Sequence, residues 1–141
     1  MNTTTKNVTL EPLSQSDLMV GDPAEDIRDR TVYDRNGNEV GTVKDLMIDR
    51  DESKVRFMRL GAGGFLGIGE DTFLIPIDVI TAIDDQGVHI DQTRDHVAGG
   101  PKYQPDLVAD MAYYGDVYGY YGYAPYWGAG YAYPAYPYYP R

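Results

Sequence analysis

Between residues 39 and 78 apolar and polar positions alternate in three short runs, 39–48, 54–61 and 72–76, and no part of the stretch holds a helical period. Alternation with period two sends successive side chains to opposite faces of an extended chain, so the pattern predicts a β meander around which the remainder is organised. Ahead of it, Arg30-Thr31-Val32-Tyr33 is β-branched and aromatic, and Asp34-Arg35-Asn36-Gly37 supplies the Asn-Gly pair that tolerates positive φ in a tight hairpin turn. In the return strand, Val43 and Met47 against Leu46 and Ile48 put apolar groups on both faces. That is expected of a strand that bends around a small barrel or carries a bulge, with Gly41 the natural position for the bend. Asp49-Arg50-Asp51-Glu52-Ser53 is a polar turn, Val55, Phe57 and Arg59 alternate with Arg56, Met58 and Leu60, and Pro76 ends the next run because it has no N–H to donate. Residues 79–83 and 88–90 flank Asp84-Asp85-Gln86-Gly87 as a last hairpin. About six short antiparallel strands result, an all-β fold with enough strands to close or nearly close a small barrel.

Outside the alternating region the composition changes. Residues 1–23 are rich in Thr, Ser, Asn and Asp and predict a flexible acidic arm, although Leu10, Leu13, Leu18, Met19 and Val20 leave open that part of it lies across the barrel. After Asp91 the alternation stops, and Gly99-Gly100-Pro101-Lys102-Tyr103-Gln104-Pro105 reads as an extended linker. A short helix is expected over 105–114, with Pro105 at its start and Leu107, Val108 and Met111 on one side. Of the 14 tyrosines all but Tyr33 and Tyr103 lie from Tyr113 onward, together with Trp127, in a Tyr/Gly/Pro/Ala tail. The organisation expected is therefore an arm (1–23), a barrel domain (24–104) and a helix with a Tyr-rich tail (105–141).

A net charge of -10 and a pI near 4.4 argue against direct contact with a polyanion unless a local basic patch exists. Lys44, Lys54, Arg56 and Arg59 come nearest to one, but Asp45, Asp49, Asp51 and Glu52 interleave them, which predicts a mixed, solvated surface. The absence of cysteine removes disulfides, thiolate metal sites and a cysteine nucleophile. No leader-like or membrane-spanning apolar run is present, and the expectation is a soluble, cytoplasmic protein.

Candidate chemistry is thin. The segment 61–69 is glycine-rich but lacks the Lys-Ser/Thr of a phosphate loop and enters a strand rather than a helix; with Phe65, Leu66 and Ile68 it reads instead as an apolar contact hairpin. Asp34, Asn36, Asn38 and Asp45 have part of the spacing of a calcium loop, yet Glu39 stands where that loop needs glycine, and a hairpin turn explains them better. His89 and His96 are too few for a histidine metal site and have no nucleophile motif beside them. No catalytic residue, cofactor site or metal site is assigned, and an enzyme is the least supported class. The aromatic tail carries Asp106, Asp110 and Asp116 against Arg141 alone, so base stacking is disfavoured. It reads as a sticky segment for self-association, or else Tyr113 to Trp127 pack back onto the barrel.

The ordered elements Val32-Tyr33-Asp34 with Asn36-Gly37, then the run from Val40 to Asp49, Val55-Arg56-Phe57, the loop Gly63-Gly64-Phe65-Leu66-Gly67-Ile68-Gly69 and Leu74-Ile75-Pro76 together resemble the PRC-barrel family, named for the cytoplasmic domain of the photosynthetic reaction-centre H subunit. The resemblance runs from about Ala24 to Tyr103. It implies a small antiparallel barrel used for assembly or docking, and it covers no membrane anchor helix and no second domain of the kind ribosome-maturation factors carry. Stand-alone bacterial members are the best match. It also implies that Asp49 and Glu52 match a turn where the H subunit presents carboxylates to its proton route, making them weak proton-relay candidates. The reading is a non-catalytic, self-associating interaction module, expected as a homodimer, whose contact surface is Phe65, Leu66, Ile68, Tyr126 and Trp127. Two alternatives stay open: an accessory subunit peripheral to a photosynthetic membrane complex, and an RNA-processing or ribosome-assembly adaptor.

Overall fold

Seven strands form one sheet in the computed structural model, which describes residues 10–16, 26–52, 54–62 and 71–134. In chain order they are β1 (Glu11–Pro12), β2 (Thr31–Tyr33), β3 (Glu39–Asp49), β4 (Lys54–Ala62), β5 (Asp71–Pro76), β6 (Ile80–Ile83) and β7 (Val88–Ile90), followed by helices α1 (Arg94–Ala98) and α2 (Met111–Tyr121). Laterally the order is β5-β4-β3-β2-β7-β6, with β1 paired to the far end of β3. Laid flat, six strands about 4.8 Å apart would hold β5 and β6 about 24 Å from each other. The single 3-10 turn Ile77–Val79 joins those two strands, and the four Cα steps from Pro76 to Ile80 reach at most about 15 Å. The sheet must therefore curl.

The curl is a half-barrel. No hydrogen-bonded ladder joins β5 to β6 among the described residues. The strand count is as expected, but the all-antiparallel expectation is corrected, because β2 and β7 run parallel with Val32 opposite Val88 and Tyr33 opposite His89. Alternation along one strand carries no information about the direction of the neighbour it meets across the sheet. The curvature comes from bulges, as expected, and one of them lies beside Gly41: on the β2 side of β3 the register jumps from Val32↔Gly41 to Tyr33↔Glu39 and leaves Val40 as the extra residue. Register jumps from Val43↔Leu60 to Asp45↔Arg59 and from Met47↔Phe57 to Ile48↔Val55, leaving Lys44 on β3 and Arg56 on β4 as the extra residues. Gly41 also permits a close approach, since a Cβ there would stand 2.1 Å from the Gly61 carbonyl oxygen and only glycine lets the two backbones come so near.

Val43, Leu46, Phe57, Met58, Leu60, Leu74 and Ile75 make the centre of the core. Residues 55–58 are buried on both faces because the curl covers one side and α2 lies over the sheet on the other. Helix α2 starts where the Asp110 carboxylate accepts the N–H groups of Ala112 and Tyr113, and it ends at Gly122, whose φ of 80° closes the last turn. Its buried stripe is Tyr113, Tyr114, Val117, Tyr118 and Tyr121, with Tyr114 and Tyr118 on the Phe57 ring at centroid distances of 5.1 and 4.9 Å. The expected helix over 105–114 is thus corrected to a 3-10 turn, Pro105–Leu107, followed by a longer helix that begins at its own cap.

Two further corrections concern the ends. Leu10 and Leu13 are 1% and 4% exposed, Glu11 pairs with Ile48, and the Ser14 N–H and hydroxyl both donate to Asp45, so residues 10–16 are docked rather than flexible. The rest of the predicted arm, 1–9 and 17–23, lies outside the described residues. Where the alternation stops, α1 forms first, capped where Thr93 Oγ1 accepts the His96 N–H. The stretch after it, expected to be a linker, includes Pro101 to Tyr103, which covers the edge of β5 through Leu74 N–H to Pro101 O and Tyr103 N–H to Thr72 O.

Candidate functional site

A bulge re-aims a side chain, and the one on β4 turns Arg56 inward. The Arg56 side chain is 3% exposed and its guanidinium lies 3.4 Å from both Asp49 Oδ2 and Glu52 Oε1. Residues 122–134 cross over it as a strap. The Tyr126 ring stacks on the guanidinium at 4.0 Å and the Tyr133 ring lies at 5.8 Å, while Tyr133 also faces Lys54 at 4.7 Å. Tyr133 donates to Val55 O and Tyr131 to Asp78 Oδ2, at 3.3 and 2.8 Å, and Tyr123 donates to Asp91. Trp127 stands edge-on to both Tyr126 and Tyr118.

Electrostatics follow from this geometry. Burial, reinforced by Asp49, pushes the Tyr126 phenol up to about 12, and burial pushes Tyr133 up to about 12, so both rings stay neutral over Arg56 at physiological pH. Burial also raises Asp78 above its ordinary value, against the hydrogen bond from Tyr131. The interleaved basic cluster is therefore not simply solvated: Lys54 and Arg56 face Tyr133 and Tyr126, and Arg59 lies 4.3 Å from the Tyr103 ring.

Of the residues singled out in the sequence, Tyr126 and Trp127 are half-buried in the strap, held against α2 and Arg56. Phe65, Leu66 and Ile68 lie outside the described residues. The residues flanking that loop, Ala62 and Asp71, border a half-open cleft of about 380 Å³ with Val40, Phe73 and Val97 among its lining and Arg94 at its rim. Asp49 and Glu52 do come together, but as partners of Arg56. Asp34 spends its carboxylate on the N–H groups of Asn36, Asn38 and Arg94, and Asp45 spends its own on Ser14, Leu46 and Arg59, so the calcium-like spacing serves turns and tethers. His89 pairs with Asp84 and stacks on Tyr33; His96 stacks on Tyr120 at 4.1 Å. Sequence reading missed Arg56, Asp78 and Tyr131 as a group. No local pattern links them, since Tyr131 meets Asp78 across 53 positions.

Among the described residues no cluster of three or more His, Asp and Glu side chains has a metal-holding arrangement, and no helix is long and apolar enough to cross a membrane. The arrangement leaves a set of half-exposed rings, Tyr123, Tyr126, Trp127, Tyr131 and Tyr133, mounted on a curled sheet, with the exposed Asp51 and Glu52 beside them.

A curled, bulged sheet of short strands with its ends joined by one turn defines a small β-barrel-like domain. The chain belongs to the PRC-barrel domain family, whose family model matches residues 19–97. It is also 32% identical over 82 residues to an uncharacterized protein of Deinococcus radiodurans, an alignment covering 57% of this chain and 27% of that protein. The aligned part of the chain thus spans about a quarter of the length of that curated relative.

Proposed function

We propose that this PRC-barrel protein is a non-catalytic interaction module that assembles with further copies of itself. The observation that carries the reading is the aromatic strap: half-exposed Tyr and Trp rings are held on a rigid scaffold by Arg56, Asp78 and the Val55 carbonyl rather than left loose. Rigid aromatic side chains contribute large contact area at small entropic cost and are enriched among residues that dominate binding. The glycine-rich sequence 61–69, with Phe65, Leu66 and Ile68 between its glycines, is the second contact in this reading. Light scattering on the full-length protein over a range of concentrations tests this directly, with a mass above the monomer expected. The double substitution Phe65→Ser and Leu66→Ser should lower that mass while leaving the circular dichroism unchanged. A monomer at every concentration rules out self-assembly, and unchanged assembly in the double variant removes the loop from the interface.

A further inference from the structure

Beyond Tyr133 the chain reads Pro134-Ala-Tyr-Pro137-Tyr-Tyr-Pro140-Arg141, with proline at every third position. Polyproline II has three residues per turn, so in that conformation this spacing would set all three prolines on one edge, followed by Arg141. Surfaces that take such ligands share two features: aromatic rings set at an angle, between which prolines seat, and an acidic rim for the flanking cation. The strap has both. Tyr126 and Trp127 stand 5.1 Å apart at 78°, both half-exposed, and Asp51 and Glu52 lie close enough to Tyr126 to act on its phenol.

We infer that the Tyr126–Trp127 surface is a polyproline-binding site, and that its ligand is the 134–141 segment of a second copy of this chain. Geometry selects a second copy over the same one. Tyr133 and Tyr126 share the Arg56 guanidinium, so Pro134, where the ligand sequence begins, follows directly on a residue at the border of the surface to be covered. To cover that surface on its own copy, a polyproline II ligand, stiff over several residues and about 22 Å long over seven steps, would have to reverse at its own first residue. The segment from a neighbour meets no such constraint. Charge agrees: Arg141 is the only basic residue after Lys102, in a chain of net charge -10. The contact joins two different surfaces, so it is heterologous and builds rings or open chains rather than stopping at a two-fold dimer. The inference rests on the self-association reading above and assigns it a ligand.

Trp127 is the single tryptophan, so its emission reports the site without a label. The full-length protein is titrated with a synthetic peptide of residues 134–141, and with the same peptide carrying Pro137→Ala and Pro140→Ala. A saturable emission shift is expected, at least about tenfold weaker for the substituted peptide and weakened by salt through Arg141. In the full chain, Pro137→Ala with Pro140→Ala should lower the mass seen by light scattering at unchanged circular dichroism. No emission change, or equal affinity for both peptides, overturns the inference. So does an emission change in the full-chain variant that does not depend on protein concentration, which would put the segment on its own copy. Assembly that survives the proline substitutions but not Phe65→Ser with Leu66→Ser overturns this inference and leaves the self-association reading standing; a monomer throughout, with no peptide response, overturns both.

Discussion

Replacing Arg56 by Met keeps most of the side-chain volume and deletes the guanidinium that joins the barrel to its strap. The loss is worked from its contacts. Asp49, whose side chain is 10% exposed, would keep, among the described residues, the Glu52 N–H as a donor, and stranding a buried carboxylate costs about 3–5 kcal/mol, about 2–3 with that donor retained. The Glu52 pair adds at most about 1 kcal/mol, since Glu52 is 59% exposed. Stacking on Tyr126 in a desolvated site adds about 1–2 kcal/mol. Against this, Arg56 Nε is buried without a hydrogen-bond partner among the described residues, and removing it returns about 1 kcal/mol. The net expectation is a loss of about 3 kcal/mol, read from urea denaturation by circular dichroism. Because most of it is the stranded charge, Asp49→Asn should restore part: the double variant should be more stable than additivity allows by about 1.5 kcal/mol. Under native conditions the Trp127 emission of Arg56→Met should move to the red as the strap loosens. A loss below about 0.5 kcal/mol, or a coupling near zero, would refute the assignment of Arg56 as the strap's anchor.

Four further substitutions test the scaffold. Gly41→Ala sets a methyl 2.1 Å from a backbone oxygen that cannot move without opening the ladder, and should cost more than about 3 kcal/mol in urea denaturation, whereas Gly119→Ala, exposed in α2 with nothing within 4 Å, should add about 0.5–1 kcal/mol. Burial alone would raise Asp34, but the N–H groups of Arg94, Asn38 and Asn36 outweigh it and hold the carboxyl below 3.8. Its contribution is then present above that value and lost as pH falls through the lower folded value, so Asp34→Asn should destabilise at neutral pH and match the parent in acid; a gap in melting temperature that does not close with pH would contradict this. Asp78 has the opposite sign. Raised by burial, it contributes most below 3.8 and loses that contribution as pH rises through its folded value, so Asp78→Asn should melt higher than the parent at neutral pH and no higher near pH 3.5.

The strands at 31–33, 39–49, 54–62, 71–76, 80–83 and 88–90 fall within a residue or two of where alternation and turn residues put them. Those signals are local: side-chain period two, the Asn-Gly turn with Gly37 at φ 85°, and a proline that stops a ladder all act between near neighbours in the chain. The family was legible for the same reason, as several local elements in a given order. The bulge at Arg56 was not, because a bulge is a relation between two strands and leaves Val55-Arg56-Phe57 looking like any alternating run. The parallel pairing of β2 with β7 depends on which edges meet once the sheet has curled, some 55 residues apart in sequence. The tyrosines divide in the same way. Their clustering after residue 112 was visible at once, and composition without periodicity favoured a loose adhesive tail over a packed one. Burial decided between them: Tyr114 and Tyr118 find Phe57, and Tyr126, Tyr131 and Tyr133 find Arg56, Asp78 and the Val55 carbonyl, partners that only the folded sheet brings within reach.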